Sequence, residues 1–259
     1  MEVKEEQIEI RPVSLSRTLS KGVSDVWDHL GLVVASSFIW TAAVTVPLSI
    51  GWELQRRLMT TGPWYLLAGL LAALLVGVPL LAGVFKMAYK MVYRDDPSLW
   101  DILSGFKELF IPGLGLVLVS LAVAVVLAVN IVFFFGIFGP LKGSFAGYAV
   151  GIFSLYLLLI WFAMALYQFP ALAAQLLLEQ KQGVFPAIKK SFLLVMHNPG
   201  FTAGVFVVIL GWSILCVVSV IGMPLLFVGT VAILLTRVLR EQFVRYGVIE
   251  EPVNPEDGT

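Results

Sequence analysis

"FTAGVFVVILGWSILCVVSVIGMPLLFVGTVAILLT", Phe201 to Thr236, contains no Asp, Glu, Lys or Arg, and whether it forms one helix or two sets the topology of the whole chain. As one helix it would extend about 54 Å at 1.5 Å per residue, against a hydrocarbon core of about 30 Å. Two spans joined near "IGMP" (Ile221 to Pro224) fit better, although the second is then short.

Four further charge-free runs precede it: Leu30 to Trp52, Leu58 to Phe85, Leu109 to Leu141 and Gly143 to Leu178. With 59% hydrophobic and 13% charged residues, the chain is far from the one-quarter charged content of ordinary soluble domains. The expected fold is an all-α membrane protein with six spans, at about 30–50, 64–85, 111–135, 147–178, 201–221 and 223–238. The fourth is overlong, so its end is expected to project beyond the bilayer. The opening residues, "MEVKEEQIEIRPVSLSRTLSKG", lack the basic-then-apolar plan of a signal peptide.

Positive charge tests the count independently. Six spans place Lys4, Arg11, Arg17, Lys21, Lys86, Lys90, Arg94, Lys107, Lys181, Lys189, Lys190, Arg237, Arg240 and Arg245 on one side, and only Arg56, Arg57 and Lys142 on the other. A single last span would move the three C-terminal arginines across and weaken the asymmetry. The positive-inside rule therefore favours both termini in the cytoplasm, in a prokaryotic cytoplasmic membrane. Net charge is zero and there is no basic run suited to nucleic acid.

Before spans one, three and five lie stretches too apolar for plain connectors. In "KKSFLLVMHNPG", Ile188, Phe192, Val195 and Met196 share a helical face, with Lys190 and His197 opposite. In "DDPSLWDILSGFKELF", Ile102, Phe106, Leu109 and Phe110 do the same, and Asp96 followed by Pro97 marks a helix start. In "LSKGVSDVW" the apolar residues are Leu19, Val23, Val26 and Trp27. A small residue occupies the same i+3 position each time: Gly22, Gly105 and Ser191. This predicts three hairpins, each preceded by a cytoplasmic amphipathic helix, and a threefold internal repeat over 14–93, 97–180 and 184–240. Acidic tails, 1–13 and 241–259, flank the single membrane domain, 14–240.

"SFIWTAAVTVPL", "DDPSLWDILSGFKELF" and "ALAAQLLLEQKQGVFPAIKKSFLLVMHNPG" together resemble the YesL-like bacterial membrane proteins. The resemblance covers most of residues 20 to 240. It implies a polytopic membrane protein, often thought to accompany carbohydrate uptake systems, with no catalytic residues to carry over.

Chemistry at membrane depth is sparse. No Asp, Glu, Lys, Arg or His falls in mid-span, which counts against a proton-coupled carrier. The polar residues there are Ser37, Thr41 and Thr45 in span one, Asn130 in span three, and Gln168 and Gln175 in span four. They serve either helix–helix hydrogen bonding or a polar path. Gly143, Gly147 and Gly151 form a groove for close helix approach, within the chain or in a second copy of it. Asp95, Asp96 and Asp101 are the main carboxylate cluster near a boundary. Capping accounts for Asp96 and solvation for the other two, and a lipid-modifying enzyme would place a divalent ion there. His29 and His197 have no second ligand at metal spacing, and Cys216 reads as packing. No metal or cofactor is expected.

The sequence thus points to a non-catalytic integral membrane protein, an accessory or scaffold component associated with a transport system. Its expected partners are membrane lipids, a protein at the cytoplasmic face, and a second copy of the chain. A small transporter or permease is the alternative, and a lipid-modifying enzyme a weaker one.

Overall fold

The computed structural model describes residues 14–58, 62–93, 95–135, 144–178, 183–246 and 249. All regular structure among them is helical: α1 (Leu15–Asp28), α2 (Leu30–Leu58), α3 (Trp64–Tyr93), α4 (Trp100–Glu108), α5 (Phe110–Phe134), α6 (Phe145–Leu177), α7 (Val184–His197), α8 (Pro199–Ser219), a π-helical turn (Met223–Phe227), and α9 (Val228–Arg245), which continues it. Six of these units are long and apolar enough to cross a membrane: α2, α3, α5, α6, α8 and the continuous Met223–Arg245 segment. The chain is an all-α membrane protein. A short helix stands before each of the first, third and fifth long helices, at the three places where the apolar stretches predict one.

Two details of the sequence reading are corrected here. α4 starts at Trp100 rather than beside Asp96 and Pro97, and no side chain caps it. The last helix runs to Arg245, past the boundary at 241 where an acidic tail was expected, because Phe243 and Gln242 are buried against the bundle. The acidic tail 1–13, and most of 241–259 beyond that helix, lie outside the described residues.

The returning helices form the centre. α3, α6 and α9 pack on one another, while α2, α5 and α8 lie outside them. Burial is greatest in two of the central helices: half of the apolar window of α3 and 61% of that of the segment containing α9 is buried, against 17% for α6, α2 and α8 alike and 6% for α5, whose Leu118, Val126 and Val129 are exposed. Such exposed apolar area is what a lipid-facing helix presents, since hydrocarbon imposes no cost on it.

Charges and aromatics fix the depth. α2 and α3 run antiparallel, with Trp40 Nε1 donating to the Gly77 carbonyl (2.8 Å). Further along, Gly51 and Gly69 face each other so closely that a Cβ on Gly51 would come within 2.5 Å of the Tyr65 carbonyl oxygen. From Leu30 to Trp52 this hairpin carries no charge for about 33 Å, the thickness of a hydrocarbon core. Exposed Trp52 and Trp64 mark one edge and exposed Trp27 the other, where tryptophan is favoured by its apolar ring and polar N–H.

Candidate functional site

The charged residues collect where the short helices meet the long ones, on the side of the membrane rich in Lys and Arg. Each short helix runs back along the returning helix of the preceding hairpin: α4 along α3, α7 along α6, and α1 along α9, the last closing the ring between the chain's two ends. A small residue makes the approach possible. A Cβ on Gly83 would lie 2.2 Å from the Ile102 carbonyl oxygen and one on Gly105 2.7 Å from Gly83 Cα. Gly22 takes the equivalent place against Leu234 and Arg237 of α9. Ser191 is fully buried in α7, its hydroxyl donating to the Ala187 carbonyl (2.8 Å).

Ion pairs lock two of these seams. Arg237 donates from Nε and Nη2 to the two carboxylate oxygens of Asp25 (2.7 and 2.6 Å), with both side chains nearly buried. Lys86 donates to Glu108 (2.7 Å) and to Ser104 Oγ (3.0 Å). Asp25 follows Gly22 by three residues and Glu108 follows Gly105 by three; the same step from Ser191 reaches Leu194, which is buried. The third seam is therefore apolar where the other two carry an acid. At the α7–α8 corner, Asn198 accepts from Arg245 Nη1 and donates to Tyr246 Oη, tying the start of α8 to the end of α9.

Burial pushes the Asp25 carboxyl above its ordinary value, and the Arg237 guanidinium offsets only part of that. Asp101 behaves oppositely. Burial raises it too, but Lys90 (2.7 Å) and the Ser98 N–H (2.8 Å) outweigh the effect and hold the carboxyl below the usual range. Asp101, not Asp96, is thus the engaged acid of its cluster, whereas Asp95 and Asp96 are exposed. Among the described residues no group of three His, Cys, Asp or Glu is placed to hold a metal ion. Each histidine bonds through Nδ1 to a carbonyl four residues back, His29 at the end of α1 to Asp25 and His197 in α7 to Leu193. Cys216 is buried in α8.

The polar residues at membrane depth go to separate partners. Ser37 Oγ accepts from the Gly229 N–H (2.9 Å), joining α2 to α9. Gln168 Oε1 accepts from Ser120 Oγ (2.6 Å), joining α6 to α5, and Trp161 donates to the Ser120 carbonyl (3.2 Å). Gln175 Oε1 accepts from the Gly183 N–H (2.9 Å), closing the corner before α7. Thr45 bonds back to the Thr41 carbonyl on an exposed face, and Asn130 is half-buried in α5. Gln168 and Gln175, on one face of α6 by sequence, are both buried but serve different neighbours. Of the glycine groove, Gly143 lies outside the described residues, Gly147 is buried, and Gly151 faces the ring of Phe135 at the end of α5. That partner is within the chain, and the closest helix approaches are instead at Gly51–Gly69 and Gly83–Gly105.

The residues assigned to the apolar faces of the short helices divide between the bundle and the outer surface. Ile102, Leu109 and Val195 are buried, and Leu19, Val26, Phe106, Phe110 and Ile188 partly so. Val23, Trp27, Phe192 and Met196 are exposed, because the helices dock through Thr18, Gly22, Ala187 and Ser191 and turn bulky side chains outward. Lys190, expected toward water, is half-buried, and burial lowers the pKa of its ammonium group. Trp100 and Phe185, each about three-quarters exposed, stand on the same outer surface. An open, mostly apolar groove lined by Met164, Phe185, Pro186, Ile188, Lys189 and Phe192 runs between α6 and α7.

The seam pairs were missed by the sequence reading, yet a signal existed. Two charge-free runs stop immediately before Lys86 and Arg237, and each of these cations has an acid waiting three residues after a glycine. Compared with known protein families, curated proteins and solved structures, the chain finds no match.

Proposed function

We propose that this protein is a non-catalytic scaffold or accessory subunit of the cytoplasmic membrane, serving a transport system through the cytoplasmic surface of its three short helices. The observation that carries this reading is where the polar groups of the spans are used. Ser37, Ser120, Trp40 and Gln168 bond from one helix to another, so they hold the bundle together. The elaborate part of the molecule lies on the basic side, where ion pairs fix α1 and α4 and apolar packing fixes α7, and the outer faces of these helices carry Trp27, Trp100, Phe185 and Phe192. Aromatics placed there suit the lipid headgroup zone and a protein surface lying on it. The related arrangement of the three seams supports a threefold repeat, and the resemblance to YesL-like proteins supports the link to uptake systems.

Gln168 favours a second reading. Its Nε2 is buried without a hydrogen-bond partner, the kind of group a small carrier would offer a polar solute. Proteoliposomes decide between the two. As a scaffold, the purified protein leaves sugar, amino-acid and cation gradients undisturbed; a saturable flux abolished by Gln168→Leu would replace the scaffold reading with the carrier.

A further inference from the structure

The third hairpin is set lower in the bundle than the first, and two contact chains give the offset. On α2, Ser37 is level with Gly229 of α9, since the two are hydrogen-bonded. The turn at Val220–Gly222 lies seven to nine residues beyond Gly229, or about 10–13 Å, while Trp52 lies fifteen residues beyond Ser37, about 22 Å. On the other side, Arg240 of α9 reaches the Val92 carbonyl at the end of α3 and stacks over Tyr93. From there the turn is about 28 Å away along α9, but Trp64 is about 42 Å away along α3. Both routes leave the tip roughly 10–14 Å short of the tryptophan edge, deep in the slab that carries no charge.

The chemistry of the tip fits that depth. The other two outer connections contain Glu53, Arg56, Arg57 and Lys142, whereas "VVSVIGMP" contains none. Val218, Val220 and Ile221 are nevertheless about two-thirds to three-quarters exposed. Hydrocarbon cannot satisfy backbone donors, so a turn there must satisfy its own. This one does. Val220 N–H bonds to the Val217 carbonyl, Ile221 N–H to that of Ser219, Gly222 N–H to Ser219 Oγ, and Leu225 N–H to the Ile221 carbonyl; Pro224 has no N–H to place. The Ile221 bond closes a γ-turn with Val220 at φ 57°, a conformation rarely adopted by a β-branched residue.

We infer that the α8–α9 hairpin enters from the basic side, turns inside the hydrocarbon core, and leaves the outer-leaflet space above its tip to lipid acyl chains. The first hairpin then reaches the opposite surface and the third does not. Leu67, Leu71 and Leu74 in the outer half of α3, and Phe153 in that of α6, are exposed and apolar. Both termini stay on one side whether the hairpin crosses or not, so the charge asymmetry is unaffected. The inference rests on reading the chain as membrane-embedded.

Nitroxide labels on Ile221→Cys, in a Cys216→Ala background reconstituted into phosphatidylcholine–phosphatidylglycerol vesicles, test this by power saturation. High collision with oxygen and low collision with a water-soluble nickel chelate is expected, as at the Leu71→Cys control, with Arg57→Cys showing the reverse. Nickel access at position 221 matching that at 57 would overturn the inference, since the tip would be in water. Low access to both reagents would also overturn it, because protein rather than lipid would cover the tip. If Ile221→Cys fails to fold, Val218→Cys reads the same depth. Nickel access at Leu71 would instead refute the membrane reading itself.

Discussion

Removing the Asp25 carboxylate while keeping Arg237 is the sharpest perturbation of the basic-side seams. In Asp25→Leu, a guanidinium whose side chain is only 7% exposed loses both carboxylate oxygens that it bonds at 2.6 and 2.7 Å. Stripping one member from a buried pair costs about 3–5 kcal/mol, chiefly because the survivor is left charged and unpaired. For a chain of this size that is a loss of roughly 6–20 °C in melting temperature. Arg237→Met should cost less, since burial already disfavours the Asp25 charge and the acid can take up a proton. The double variant Asp25→Leu/Arg237→Met should then recover to within about 1 kcal/mol of the parent, because well-packed apolar replacement of a buried pair is often neutral. The third seam, with Leu194 at the corresponding step, already works this way. Thermal unfolding in a mild detergent, followed by tryptophan fluorescence, gives all three shifts. A double variant as unstable as the two single losses added together would show that the pair is not coupled across the α1–α9 seam, and would refute the reasoning.

Gly83→Ala should lower the melting temperature strongly, because its Cβ meets backbone at 2.2 Å; Gly211→Ala, with nothing within 4 Å, should be neutral or stabilising by up to about 1 kcal/mol. Asp101 contributes stability at neutral pH that is lost as pH falls through its lowered pKa, below the ordinary carboxylate value of about 4. Asp101→Asn should therefore be less stable than the parent at pH 7, with the gap closing in acid, as a pH series of melting curves would record. Phe106→Asp places a charge beside Phe110 in a partly buried site and should destabilise the fold in detergent by about 2 kcal/mol or more, while exposed Phe192→Asp should leave melting nearly unchanged and weaken binding to anionic vesicles. Equal melting losses for the two would mean that α7 docks through Phe192 after all.

Helix type and number were legible because each depends on a long run of one property. The charge-free segments and the lysine and arginine asymmetry are summed over tens of residues, so no single contact can reverse them. The faces of the short helices were harder to read. Periodicity groups Val23 with Trp27 and Phe192 with Met196, but in a membrane protein the apolar face has two candidate destinations, core and lipid, and close packing goes to the smallest residues instead. Gly22, Gly105 and Ser191 were the better guide to what is buried. Partners of the polar residues were not legible at all: that Gln168 meets Ser120, and Ser37 meets Gly229, depends on how the hairpins are arranged around one another. The offset of the third hairpin had a trace in the sequence, since the sixth span came out short and its preceding turn carried no polar anchor beyond Ser219.

The scaffold reading is tested most directly by the mass of the particle extracted from its native membrane in mild detergent, compared between the parent chain and Trp100→Asp/Phe185→Asp. Both side chains are exposed on the basic-side helices, so the double variant should keep the parent's melting temperature. The account predicts that the parent chain is released in a particle of fixed stoichiometry containing subunits of a membrane transport system, and that the variant is released without them. The same lone chain from both, with a solute flux of its own in vesicles, would contradict it.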